Sequence, residues 1–239
     1  MNASRLSRRG RGMSPRLVRI LTALGGILGV VMLLPSFIIN PGPPPNPTVA
    51  QLSAFGHRYE ASIHIGAWLQ AVSPVLIILF ALALVHQAGA TTRLAGWMTI
   101  VGGTILVMTS LVEVTLYLSA VNGNPATTGL MSLDLIAAVQ HLYSMVVAPA
   151  VFLPLGAVLL SSHVLPAPFG YAAFVLAGIF AVLGVVALFS PIQPVVNVLA
   201  SLQGVWWLGA AITCLVRAGT AAKSEPSLER ESPAEAPTI

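Results

Sequence analysis

Six stretches of about twenty predominantly apolar residues, separated by short polar breaks, constrain this chain more than any other feature. They lie at roughly residues 18–39, 62–86, 95–119, 132–160, 171–190 and 195–216. An α-helix needs about 20 such residues to cross the hydrocarbon of a bilayer. A soluble fold of 239 residues, 56% hydrophobic and 8% charged, could not hide that much apolar surface in one core. We therefore predict an all-α fold, an integral membrane bundle of six transmembrane helices.

The charged residues are concentrated at the two ends of the chain, which predicts three regions. Residues 1–17 form a basic cytoplasmic arm, residues 18–216 the six-helix transmembrane domain, and residues 217–239 a disordered cytoplasmic tail. The tail is small, polar and Pro-containing, so it cannot bury enough apolar area to order itself. A basic arm beside an apolar helix is typical of an orientation signal in contact with lipid headgroups. The bilayer is therefore the expected partner, and nucleic acid is not.

The distribution of positive charge predicts the orientation of the bundle. If the N-terminus is cytoplasmic, ten of the eleven Lys and Arg lie on the cytoplasmic side and only Arg58 lies outside. Because cytoplasmic segments carry the excess of positive charge, both termini are predicted to be cytoplasmic. A cleaved signal peptide is the alternative for the first span, since "TVA" follows it at 48–50. Its apolar run, however, is longer than a typical signal core.

One carboxylate, Glu113, lies inside an apolar run, "TSLVEVTLYL" at 109–118. A charged side chain near the bilayer centre costs about 2.5–3.5 kcal/mol, so it usually faces protein or water and finds a partner. A rise of about 1.5 Å per residue puts Glu113 and His141 at a similar depth in the outer leaflet. Asp134 is two turns from His141 on one helical face, and His64 begins the second span. We predict an outer-leaflet polar pocket, or a proton-handling pair of Glu113 and His141, with Asp134 and His64 nearby.

Other interpretations of these residues stay open. His64, Glu113 and His141 are the candidate ligands if a metal binds, but the chain has no compact metal motif such as HExxH. Glu113 could instead stay protonated and bond a neighbouring carbonyl. Asp134 could simply favour the N-terminal end of its helix through the macrodipole. Haem ligation between the second and fourth spans needs histidines at matching depth, which the outer pair does not offer. No cofactor is therefore expected.

Two local patterns predict details of the helices. Thr48 and Gln51 have the spacing of a capping box, so a helix is expected to begin there. Pro74, Pro149 and Pro154 each remove a backbone hydrogen bond within a span and kink it. Such kinks either serve packing curvature or line a cavity.

The segments "QLSAFGHRYE" before the second span and "VLPAPFGYAAFVLAG" leading into the fifth carry a resemblance to a known group. Over residues 17–217 the chain resembles uncharacterised six-span bacterial inner-membrane proteins that carry a domain of unknown function. The resemblance implies a six-helix fold and a location in the bacterial plasma membrane. It implies no catalytic residue.

These observations predict a small transport, sensing or accessory component of the membrane rather than an enzyme, with a polar pocket around Glu113 and His141. The alternative is a membrane-embedded enzyme, dependent on metal or haem, that uses the same Glu and His residues. A structural role is the third hypothesis. In that case Glu113 pairs across an interface with a partner membrane subunit or a second copy of the chain.

Overall fold

A computed structural model describes residues 14–39, 42–44, 46–189 and 193–220. Most of the predicted basic arm and nearly all of the predicted disordered tail lie outside these residues. The described chain is helical. It contains seven α-helices and two π-helical turns: α1 Pro15–Ile39, α2 Val49–Gln87, α3 Leu94–Asn122, the π-turn Pro125–Gly129, α4 Leu130–Leu142, the π-turn Tyr143–Val147, α5 Ala148–Ser162, α6 Ala167–Ala187 and α7 Gln193–Thr220.

The prediction of an all-α fold with six spans is confirmed. Six helical segments in the described chain are long and apolar enough to cross a membrane, and α4, the second π-turn and α5 together form the fourth. The outward surface of the bundle is also apolar. On α1, for example, an exposed stripe recurs every three or four residues: Leu17, Leu21, Leu24, Leu28 and Val31. Such a surface is matched to lipid rather than to water.

The capping box predicted at the start of α2 is confirmed. Thr48 Oγ1 accepts a hydrogen bond from the backbone N–H of Gln51, and the Gln51 side chain accepts one from the backbone N–H of Thr48. The helix then continues for 39 residues, with a local departure from helical geometry at Tyr59. At about 1.5 Å per residue, α2 is nearly twice as long as the hydrocarbon thickness. Its first turns therefore extend beyond the membrane-spanning part.

The helices form a closed ring around a core of aromatic side chains. Each span packs on two neighbours, in the order α1, α2, α3, α5, α6, α7 and back to α1. Bulky rings from two of these spans pack together inside it: Phe152 of α5 contacts Trp206 and Trp207 of α7, with ring centroids 5.1 and 5.3 Å apart. The Trp206 indole N–H also donates to the Phe169 carbonyl on α6, at 3.1 Å.

The fourth span is interrupted by the π-turn Tyr143–Val147, directly before Pro149. Proline cannot donate to the carbonyl four residues back, Met145, and its ring would collide with that carbonyl in a regular helix. The wider turn relieves this conflict, and the Ala148 N–H bonds the Tyr143 carbonyl instead. The turn fits against α6 because Gly184 has no side chain. A Cβ there would lie 2.6 Å from the Met145 Cα and N.

A left-handed residue ends α5. His163 has φ 58° and ψ 16°, and its N–H bonds the Leu159 carbonyl at 3.3 Å. Arg217 of α7 secures this end, because its Nη1 donates to the carbonyls of His163 and Val164 at 3.1 and 2.8 Å. The described interactions of His163 thus involve its backbone.

Replacing His163 by glycine is expected to stabilise the protein by about 0.5–1 kcal/mol, since glycine adopts the left-handed conformation without steric cost. The matched control is His86→Gly in the last turn of α2, where the backbone is helical and glycine should destabilise by about as much. Melting temperatures in detergent measure both. A fall in melting temperature for His163→Gly would contradict the prediction.

A polar cavity between the helices as candidate functional site

A cavity of about 170 Å³ lies between α1, α2, α3, the fourth span and α7. Its polar lining consists of Gln70, Thr109, Ser110, Glu113, Gln140, Tyr143, Ser144 and Gln203. Its apolar wall includes Leu33, Pro74, Ile77, Leu106 and Trp207. A dry engineered cavity of about 150 Å³ is known to bind benzene, so this space suits a molecule of similar size or several waters. Pro74, the site of one of the predicted kinks, lies in this wall.

Glu113 is bonded by amides rather than by a cation. Gln140 Nε2 donates to Glu113 Oε1 at 2.9 Å, and the Gln70 side chain also hydrogen-bonds this carboxyl group. The two glutamines come from α4 and α2, on either side of α3. Among the residues that the structure describes, no Lys, Arg or His side chain contributes to the lining. Through these hydrogen bonds, α2 and α4 are both joined to the carboxyl group on α3.

Three hydroxyl groups of the lining are also engaged. Tyr143 Oη donates to Gln203 Oε1 at 2.6 Å, which connects the π-turn to α7. Ser110 Oγ donates to the Gln70 carbonyl at 3.2 Å, and Ser144 Oγ donates to the Gln140 carbonyl at 3.3 Å. Each hydroxyl group carries a single proton, and that proton is used in the hydrogen bond just described. Each of these oxygens can therefore only accept further hydrogen bonds. The π-turn is what places Tyr143 and Ser144 in this network.

The cavity contains one of the four residues predicted for the pocket. Glu113 lines it, whereas Asp134 is exposed on α4 and is not part of the lining. His141 Nδ1 lies 2.6 Å from the Ala137 carbonyl on its own helix. His64 Nδ1 lies 2.8 Å from the Glu60 carbonyl, and its Nε2 lies 3.1 Å from Asn122 Nδ2. The pair of Glu113 with His141 stays a prediction, because the partner observed on α4 is the preceding residue, Gln140.

The proposed metal ligands are not gathered into one group. Within the described ranges, no three or more His, Cys, Asp or Glu side chains lie together in an arrangement that could hold a metal ion. His64 bonds the end of α3 near Asn122, while Glu113 lies about two and a half turns further into the bundle. The chain therefore does not assemble His64, Glu113 and His141 as a ligand set.

The glutamines that line the cavity were not predicted from the sequence. Gln70, Gln140 and Gln203 each lie within a long apolar segment, in three different spans. An amide in hydrocarbon needs a hydrogen-bonding partner much as a carboxyl group does, so their presence was a usable signal. Because the prediction considered only ionisable side chains as partners for Glu113, it favoured the neighbouring His141.

Comparison with known proteins adds no relative to this picture: the chain matches no protein-family model, no curated protein and no solved structure. The resemblance to six-span bacterial inner-membrane proteins stays a prediction, and function has to be argued from the cavity itself.

Proposed function

We propose that this chain is a transport or sensing component of the bacterial plasma membrane that binds a small solute in the cavity around Glu113. The observation that carries the proposal is a carboxyl group within a membrane span, hydrogen-bonded by Gln140 and Gln70, at the wall of a cavity large enough for a ligand. An ionisable group at such a depth is costly, and its usual role in membrane proteins is on a substrate or proton pathway.

Several spans contribute residues to the cavity, which favours a role in transport or sensing over a purely structural role. Five of the six spans contribute to the lining, and hydrogen bonds across it join α2 to α3, α3 to α4, and the π-turn to α7. A ligand that changes these bonds would bias the relative positions of several helices at once. Substrate sites of membrane transporters are commonly found near the bilayer midplane beside interrupted helices.

The same geometry weakens the case for an enzyme that uses metal or haem. That alternative needs Glu113 together with His64 and His141, and neither histidine is part of the cavity lining. The residues that do surround Glu113 are amides, hydroxyls and apolar groups, which suit binding better than acid–base or metal chemistry.

The proposed orientation follows from the number of crossings and the charge distribution. An even number of spans returns the chain to the side where it began, and the excess of Lys and Arg favours the cytoplasm for that side. In this orientation Glu113 lies in the outer half of α3, about 14 Å from its end at Asn122.

Cysteine accessibility tests whether solutes reach the cavity. In a Cys214→Ala background, Ser110→Cys should react with a small, water-soluble thiosulfonate added to intact membranes, because the reactive thiolate forms only in contact with water. Val112→Cys on the same helix is the control, since Val112 is 45% exposed on the outer surface of the bundle and should face lipid.

We expect labelling at position 110 and little at position 112. If Ser110→Cys reacts only after denaturation, solutes do not enter the cavity and the proposed function is wrong.

A further inference from the structure

We infer that the ligand of the cavity is a small primary ammonium compound with a short apolar body. The inference rests on the proposed function and names the class of solute. Three features of the lining support it: its charge, the direction of its hydrogen bonds, and its size and apolar wall.

Charge is the first feature. Of the lining residues that the structure describes, Glu113 is the one that carries a formal charge when ionised, and its partners are neutral amides. Amide N–H groups stabilise the carboxylate form, since an ionised carboxyl group only accepts hydrogen bonds. A carboxylate in an apolar setting is still costly without a positive partner. Since no described residue of the lining is a Lys, Arg or His, a bound cation is the natural source of that charge.

The direction of the hydrogen bonds is the second feature. Ser110, Tyr143 and Ser144 have each donated their only hydroxyl proton to a glutamine oxygen, so toward the cavity they can only accept. The carboxylate of Glu113 offers about four acceptor sites, of which the two glutamines occupy two. The lining thus offers several acceptors. An ammonium group brings three N–H donors and no acceptor, which makes it the complementary ligand.

Size and the apolar wall complete the description. The space of about 170 Å³ admits an ammonium group attached to only a few carbons, and Ile77, Leu106 and Trp207 provide the apolar surface for them. The lining also contains N–H donors, on the glutamine amides and on Trp207. The buried indole N–H of Trp207 has no hydrogen-bond partner among the described residues.

A pair of matched probes tests the inference on the full-length protein in detergent. One is the aminobutanol with terminal amino and hydroxyl groups, and the other is the butanediol with both hydroxyls terminal. They have the same number of heavy atoms and differ only in the ammonium group. Ligand-dependent melting temperatures and calorimetric titration give both affinities.

We expect the amino alcohol to bind about ten- to a hundredfold more tightly than the diol, as for a hydrogen bond to a charged group. Glu113→Gln should abolish that preference, and Asp134→Asn, which removes an exposed acid outside the cavity, should preserve it. Ser144→Ala offers a milder variant that removes one acceptor and should reduce the preference severalfold.

Equal or tighter binding of the diol would overturn the ammonium inference and leave the solute-binding cavity in place. Absence of binding by the amino alcohol would overturn it too, while the accessibility of Ser110→Cys still decides the proposed function separately.

An ammonium group can come from a free amine or from the headgroup of phosphatidylethanolamine. Nanodiscs of phosphatidylcholine alone, compared with discs that also contain phosphatidylethanolamine, distinguish the two sources. Weaker apparent binding of the amino alcohol in the second preparation identifies the headgroup as a competitor. Unchanged binding assigns the cavity to free amines, and either result supports the ammonium class.

Discussion

Phe152→Ala is expected to lower the free energy of unfolding by about 3–5 kcal/mol, the largest effect of any single substitution considered for this protein. Phe152 is 1% exposed and lies at the centre of the ring of helices, where it packs against Trp206 and Trp207. Truncation removes the dispersion contacts of a whole ring and leaves a cavity that the surrounding helices cannot collapse to fill. In a membrane the packing itself carries this stability, because lipid provides no hydrophobic force between helices.

Phe189→Ala is the matched control, since Phe189 follows the end of α6 and is 85% exposed. Unfolding in mixed detergent, followed by tryptophan fluorescence, measures both variants. Phe189→Ala should change stability by less than about 0.5 kcal/mol, as surface substitutions usually do. Similar losses in the two variants would show that the aromatic core does not hold the bundle together.

Gly184→Ala is expected to lower the free energy of unfolding by about 1–3 kcal/mol, because the added methyl group meets backbone atoms that no rotamer change can move. The Cβ would lie 2.6 Å from both Met145 Cα and Met145 N. Relief requires α6 to move away from the π-turn Tyr143–Val147. Since that turn presents Tyr143 and Ser144 to the cavity, binding of the amino alcohol should weaken together with stability.

Gly178→Ala on the same helix is the control, because a Cβ at that position has no neighbouring atom within 4 Å. Alanine is favoured over glycine in a helix by up to about 1 kcal/mol, so this variant should be unchanged or slightly stabilised. The melting temperature and the affinity for the amino alcohol, measured for both variants, compare the effects of the two substitutions. If both variants behave alike, the close contact between α6 and the π-turn has no role in positioning the site.

The membrane-spanning fold could be predicted from the sequence because its physical cause is local. Whether a segment such as residues 95–119 crosses a bilayer depends on its length and on the transfer free energy of its own side chains, and each can be read along the chain. The capping box of Thr48 and Gln51 is equally local, and the structure confirms it. The depth of Glu113 along α3 likewise follows from counting residues.

The partners of Glu113 could not be predicted in this way. Gln140 and His141 are adjacent in sequence and nearly equal in depth, but their side chains point about 100° apart around the axis of α4. Which of them reaches α3 depends on how α4 is rotated in the bundle, and that is set by packing between distant segments. Gln70 and Gln203 come from two further spans, far away along the chain.

By itself, then, the amino-acid sequence determined that this protein has six apolar helices and one acid deep within them, since burial in lipid is decided residue by residue. Tertiary structure alone decided that the acid lies among glutamines, at the wall of a cavity beside a π-turn. That arrangement depends on the rotation of each helix about its axis, and on contacts such as Gly184 with Met145 that form only when separate spans pack together.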